Sequence, residues 1–188
     1  MFSRITVYEQ RSDVGGIWNT DSRSSPEDVA LFPSPIYHDM ESNIPSEIMQ
    51  YYRRPFPEGT PLLPDAGQVL AYSKEYADDV RPLLALRHQV LDVSPLSPES
   101  AKTRWKLKIR DLSHGVDLEE SFDAVAVANG RYNKEYVPEI PGLEDWTKAY
   151  PDSVSHSKSY RSPDNFKAKV CASHQTPFCQ ARFWLICE

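Results

Sequence analysis

Ile5-Thr6-Val7-Tyr8-Glu9-Gln10-Arg11-Ser12-Asp13-Val14-Gly15-Gly16-Ile17-Trp18-Asn19 is the stretch on which the reading of this chain turns. Its first five residues are β-rich, and the paired glycines after them permit backbone angles that other residues resist, so a strand runs into a tight loop. Glu9 stands at the carboxyl end of that strand. A doubly wound nucleotide-binding sheet places an acid there to accept hydrogen bonds from ribose hydroxyls. Taken alone, such a glutamate is more often a solvated surface acid, and the neighbouring sequence has to decide.

Downstream, a loop rich in Ser and Pro runs from Asp21 to Pro35, and a short helix is expected to start at Pro45, whose fixed φ suits a first helical position. Asp65 and Gln68 form a capping pair ahead of Val69, Tyr72, Tyr76 and Val80, which recur at helical spacing and predict a helix over 65–80. A strand is expected over His88–Val93. Trp105, Leu107 and Ile109 alternate with Lys106, Lys108 and Arg110, the pattern of a strand with one wet face, and His114-Gly115 turns it into a partner strand. Phe122-Asp123-Ala124-Val125-Ala126-Val127-Ala128, ending in Asn129-Gly130, reads as a strand buried on both faces of an α/β sheet.

Composition narrows the function classes. The 188 residues suffice for one domain or a large part of one. A net charge of −6 with no basic stripe argues against nucleic acid as a partner. With a mean hydropathy of −0.55 there is no membrane segment among the expectations, and the N-terminus has no secretory h-region, which gives a cytoplasmic expectation. Cys171, Cys179 and Cys187 are crowded into the last 18 residues at spacings that match no short zinc pattern, so no metal site is expected.

The acid-to-glycine interval from Glu9 to Gly15-Gly16-Ile17-Trp18 resembles that of flavin-containing monooxygenases and related two-dinucleotide flavoproteins. The resemblance continues through Tyr37-His38-Asp39-Met40-Glu41-Ser42-Asn43-Ile44-Pro45, Pro55-Phe56-Pro57, the expected helix with Tyr72 and Tyr76-Ala77, Phe122–Gly130 and Tyr136-Val137-Pro138-Glu139-Ile140-Pro141-Gly142-Leu143. Tyr150 to Tyr160 is similar to the family's F-x-G-x-x-x-H-x-x-x-Y/F fingerprint, with His156 and Tyr160 matching and Tyr150 and Asp152 departing from it. Its flavour is that of the fungal dimethylaniline monooxygenase-like members. The implied fold is α/β, a partial FAD-binding Rossmann-like domain with an antiparallel hairpin insertion. The resemblance implies FAD and NADPH as cofactors and a small soft nucleophile as substrate, oxygenated at N or S through a C4a-hydroperoxyflavin. It places Glu9 on the ribose, Ile17 and Trp18 along the FAD, and Asn43 with Ile44 near the isoalloxazine. Ser42 and Asn43 would also face the nicotinamide dinucleotide, and Asn43 is the catalytic candidate. A turn-forming role before Pro45 is the competing meaning of Asn43. For His156, packing in a connection is preferred over catalysis.

No G-x-G-x-x-G occurs in the sequence, so both glycine-rich dinucleotide loops of the family are lacking, and the expectation is a piece truncated at both ends. Residues 1–169 are expected to form the partial FAD-binding domain and 170–188 an unrelated tail. The chain is then either part of a monooxygenase or a catalytically inactive fragment with at most weak nucleotide binding, able to associate with an intact relative.

Overall fold

The computed structural model describes residues 3–20, 26, 31–97, 99, 104–131, 134–167, 170–175 and 182–187. It is mixed α/β, with a small parallel sheet and two antiparallel three-stranded sheets among the described residues. Strand β1 (Val7–Glu9) pairs in parallel with β2 (Leu84–Leu86), Glu9 opposite Leu86. Parallel neighbours need a crossover, and here it includes the helices α1 (Ser46–Met49) and α2 (Ala66–Ala77). The three-residue β2 had no signal of its own in the sequence, because it follows directly on a 3-10 turn, Asp78–Leu83, that contains Pro82.

Helix α2 starts as its sequence requires. The Asp65 carboxylate accepts Gln68 N–H and the Gln68 side chain accepts Asp65 N–H, both at 2.9 Å, a complete capping box. Its buried face is Ala66, Val69, Leu70, Tyr72 and Ala77. Tyr76 and Val80, expected on that face, are exposed. Tyr76 instead stacks on Tyr51 at 4.1 Å, and Val80 has already left the α-helix. Pro45 is the N-cap of α1 rather than its first helical residue, with ψ of 141°.

The hairpin region follows its alternation. Strands β3 (His88–Pro95), β4 (Trp105–Asp111) and β5 (Val116–Phe122) form an antiparallel sheet in that order, with an irregular register between Val90 and Asp92. Leu107 and Ile109 of β4 are buried while Lys106 and Lys108 reach Glu119 and Asp117 on β5. Further on, α3 (Leu143–Ala149) precedes β6 (Val154–His156), which pairs with β8 (Arg182–Cys187), and β8 pairs with β7 (Val170–Gln175). The backbone of the expected tail is thus hydrogen-bonded to β6.

One expectation fails. The run after Phe122 is not a buried strand: β5 ends at Phe122, Ala124–Gly130 carries no strand assignment, and Val127 is 75% exposed. A two-sided apolar strand is stable only between neighbours that take up its N–H and C=O groups, and no described strand lies alongside it. Most of the Ser- and Pro-rich loop falls outside the described residues.

Candidate functional site

The carboxyl ends of β1 and β2 are tied together by backbone. Glu9 Oε1 accepts Arg11 N–H at 2.9 Å, which folds the chain over the end of β1. Arg11 C=O accepts Arg87 N–H at 3.0 Å, and Arg87 C=O accepts Leu112 N–H at 2.8 Å. Arg87 adopts a φ of 59°, a conformation the turn out of β2 imposes on it. The Arg11 side chain is buried and donates to Phe32 C=O at 2.6 Å. Behind Glu9, Tyr8 donates its hydroxyl to Glu120 Oε1 at 2.9 Å, and Arg4 pairs with the other oxygen of that carboxylate. Burial, then the Glu120 hydrogen bond and charge, push the Tyr8 hydroxyl up to about 12.

The glycine pair is used as the sequence expects. Gly15 and Gly16 have φ of 112° and 52°, and the loop closes as a 3-10 turn over Gly16–Trp18. Trp18 N–H donates to Gly15 C=O at 3.0 Å and Asn19 N–H to Gly16 C=O at 3.2 Å, while the buried Asn19 side chain donates to Val14 C=O. The loop lies so close to α2 that a Cβ on Gly15 would collide with Leu70 Cδ1. Asp13 anchors it: its carboxylate accepts Val14 N–H at 2.8 Å, pairs with Lys74 at 2.6 Å and approaches Arg81 at 3.5 Å. Burial alone would raise the Asp13 carboxyl, but the Lys74 and Val14 hydrogen bonds and the two cations outweigh it and hold the group below the usual range. Ile17 is exposed, Trp18 is half-buried, and Ile17 C=O accepts from the buried Ser34 hydroxyl at 2.5 Å.

The second cluster, Ser42 to Ile44, is strapped to the start of α2. Ser42 N–H donates to Pro64 C=O at 2.8 Å, Ser46 N–H to Leu62 C=O at 2.8 Å and Ala66 N–H to Met40 C=O at 3.1 Å. Ser42 is buried, and its hydroxyl accepts Ile44 N–H at 3.0 Å while facing Ile44 C=O at 2.7 Å. The serine therefore makes the turn that could have been assigned to Asn43. Asn43 and Ile44 are exposed, and the Asn43 carboxamide makes no hydrogen bond among the described residues.

Both clusters therefore ride on one helix. Leu70 beneath the glycine loop and Ala66 beneath the 42–44 turn are about 6 Å apart along its axis. The residues that hold the loop, Arg11, Asp13, Asn19 and Ser34, were not singled out from the sequence. Only Asp13 and Asn19 carried a signal, as short polar side chains close to a glycine pair.

His156 and Tyr160 lie elsewhere. His156 Nδ1 accepts Lys158 N–H at 3.1 Å, capping the turn Ser157–Ser159, and Tyr160 packs on Tyr37 at 5.2 Å and Phe166 at 5.6 Å. That geometry is the packing role preferred for them. Among the described residues no three His, Cys, Asp or Glu side chains are grouped to hold a metal ion, and no helix is long and apolar enough to cross a membrane.

The chain matches the Flavin-binding monooxygenase-like family over residues 4–172. It is 35% identical over 179 residues to Flavin-containing monooxygenase FMO GS-OX-like 1 of Arabidopsis thaliana and 33% identical over 180 residues to FMO GS-OX5 of the same plant. Each match covers 88% of this chain, which spans 37% and 38% of the two relatives. Among solved structures, S-allyl-L-cysteine S-oxygenase from Allium sativum superposes with a TM-score of 0.69 at 28% identity, over 86% of this chain and 38% of that one. Tmm from Pelagibacter sp. superposes with a TM-score of 0.70 at 19% identity, over 90% and 38%, a likeness of fold. With a family match over residues 4–172 and 35% identity to a curated relative, on a fold shared with a solved S-oxygenase, the chain belongs to the flavin-binding monooxygenase-like family.

Proposed function

We propose that this chain is the adenosine-gripping and flavin-facing portion of an NADPH-dependent flavin monooxygenase that oxygenates nitrogen or sulfur in small soft nucleophiles. The supporting observation is the shared seat of the two clusters on α2, with Glu9 at the carboxyl edge of a parallel strand pair. The solved relative named for S-oxygenation of S-allyl-L-cysteine supports a thioether as one class of substrate. A dimethylaniline-type preference is the finer form of the same reading.

Family membership implies FAD and NADPH, and the residues present fit only part of the FAD. Glu9 suits the ribose hydroxyls, and the loop at Ile17 and Trp18 offers an exposed apolar edge beside it. The pyrophosphate meets no such match. The sequence contains no G-x-G-x-x-G, and at the N-terminus of α2 the Gln68 amide is already taken by Asp65. The oxygen-activating chemistry would belong to the flavin; this chain's part is to hold the ribose at Glu9 and to present the Asn43 carboxamide and Ile44 at the ring and nicotinamide side.

The lack of a G-x-G-x-x-G in the sequence and an Ala124–Gly130 run with no strand partner among the described residues favour a second reading, a catalytically inactive polypeptide with at most weak nucleotide binding that associates with an intact relative. A visible absorbance spectrum of the chain, gel-filtered after incubation with FAD, separates the two. A flavin band at near-stoichiometric level, with NADPH oxidation, supports the first; colourless protein supports the second. In a chimera that joins this chain to the glycine-loop and NADPH-binding segments of a relative, Asn43→Ala should lower oxygenation more than flavin content, since a lost hydrogen bond costs about 1–3 kcal/mol while the ribose contact remains. Unchanged turnover and peroxide leakage would remove Asn43 from the catalytic role.

A further inference from the structure

Beside the turn that presents Asn43 and Ile44, the Ser42 hydroxyl lies 2.8 Å from Met49 Sδ. The same oxygen faces Ile44 C=O at 2.7 Å and accepts Ile44 N–H at 3.0 Å. Ser42 has one hydroxyl proton for two acceptors. A thioether is the weaker of them, so with a reduced sulfur the proton goes to Ile44 C=O and the turn is closed. Met49 is the last residue of the four-residue α1 and half-buried, with Ile48 and Gln50 exposed on either side, so its sulfur lies within reach of a small solute.

We propose that Met49 is a peroxide-reactive modification site whose oxidation opens the Ser42–Ile44 turn. The oxidant is hydrogen peroxide. The sulfur lone pair attacks one peroxide oxygen, the O–O bond breaks as the S–O bond forms, and the departing hydroxide takes the proton left on the transferred oxygen. The products are a sulfoxide and water, with sulfur oxidised by two electrons and peroxide reduced by two. An added oxygen has no room between two atoms 2.8 Å apart around a buried serine, and a sulfoxide oxygen is a strong acceptor that competes with Ile44 C=O for the single proton. The steric displacement breaks the Ile44 N–H to Ser42 Oγ bond and the competition withdraws the Ser42 donation to Ile44 C=O, and together they change how Asn43 and Ile44 are displayed. This chemistry stands whether or not the chain binds flavin.

The test uses the full 188-residue chain with added hydrogen peroxide, peptide mass spectrometry of its methionines, and amide exchange of Ile44 followed by NMR. The expected result is Met49 sulfoxide together with an about tenfold faster exchange of the Ile44 amide, restored by methionine sulfoxide reductases. In Met49→Leu the Ile44 amide should stay protected before and after peroxide. In Ser42→Ala it should exchange fast from the start, with no further change as Met49 is oxidised. Met49 remaining reduced under conditions that convert Met40 would overturn the proposal. So would unchanged Ile44 exchange in the oxidised wild-type chain, or the same rise in Met49→Leu.

Discussion

Replacing Tyr8 by Phe isolates the bond that fixes the strand ahead of Glu9. The ring contacts survive the change, since the aromatic face keeps its edge-on neighbour Phe122 at 6.2 Å and its tilted neighbour His88 at 6.2 Å. What is lost is the hydroxyl donation to Glu120 Oε1 at 2.9 Å. Hydrogen bonds to charged groups contribute about 1.5–3 kcal/mol, but Glu120 is half-buried and keeps Arg4, so the penalty should fall to about 1 kcal/mol. For a chain of this size that is a fall in Tm of about 2–4 °C. The pH dependence gives a second, independent signature. The folded-state value of Tyr8 is raised from 10.0 to about 12. The native state therefore holds a proton that the unfolded chain has given up, and the stabilisation is fully present below pH 10.0 and is lost as pH rises towards 12. Urea melts from pH 9 upward, with tyrosinate absorbance recorded in parallel, should show a steeper alkaline loss in wild type than in Tyr8→Phe. Parallel alkaline limbs and an unchanged midpoint would refute the reasoning.

Gly15→Ala combines a positive φ with a Cβ driven into Leu70 Cδ1, and should cost about 1–3 kcal/mol in a denaturant melt. Asp13→Asn should flatten the acid limb of the stability profile. The carboxyl is held below 3.8, so its stabilisation is present above that pH and disappears as pH falls through the depressed value, which acid titration of the melting temperature will follow. Ile109→Ala, at a fully buried position of the central hairpin strand, should cost about 2–5 kcal/mol by the same melts.

The sequence carried the local features well. The capping box at Asp65 and Gln68, the positive-φ glycines and the one-sided alternation of β4 are all set by residues within a few positions of one another, and each lies where its chemistry puts it. Features that depend on distant partners were less legible. Ala124–Ala128 has the composition of a central strand, yet a strand is a property of a pair, and its ladder partner is not among the described residues. Tyr76 fits the apolar period of α2 but turns outward, because Tyr51 from the preceding loop offers it a stacking surface. The site shows the same division. Glu9 and the glycine pair announce themselves, whereas the residues that clamp the loop, Arg11 to Phe32, Asn19 to Val14 and Ser34 to Ile17, act through backbone carbonyls that no side-chain pattern specifies.

Helix α2 explains why these two clusters travel together. Its first turn takes the strap from Met40 through Ser46, its second turn receives Gly15 against Leu70, and its third offers Lys74 to Asp13. The capping box fixes where this helix starts, and with it the spacing between the residues that meet the two clusters. The Asn43 turn and the Ile17–Trp18 edge are therefore positioned by one and the same element. In the first turn of this helix the Gln68 amide is taken by the Asp65 carboxylate and the Ala66 amide by Met40 C=O, so neither is open to an anion. The edge of β1 away from β2 is left without a partner among the described strands, and Val7 on it is exposed. Under the proposed function, the ribose would fall to Glu9 and the ring side to the turn strapped to α2, while a phosphate would need amides other than those already engaged in the first turn of α2.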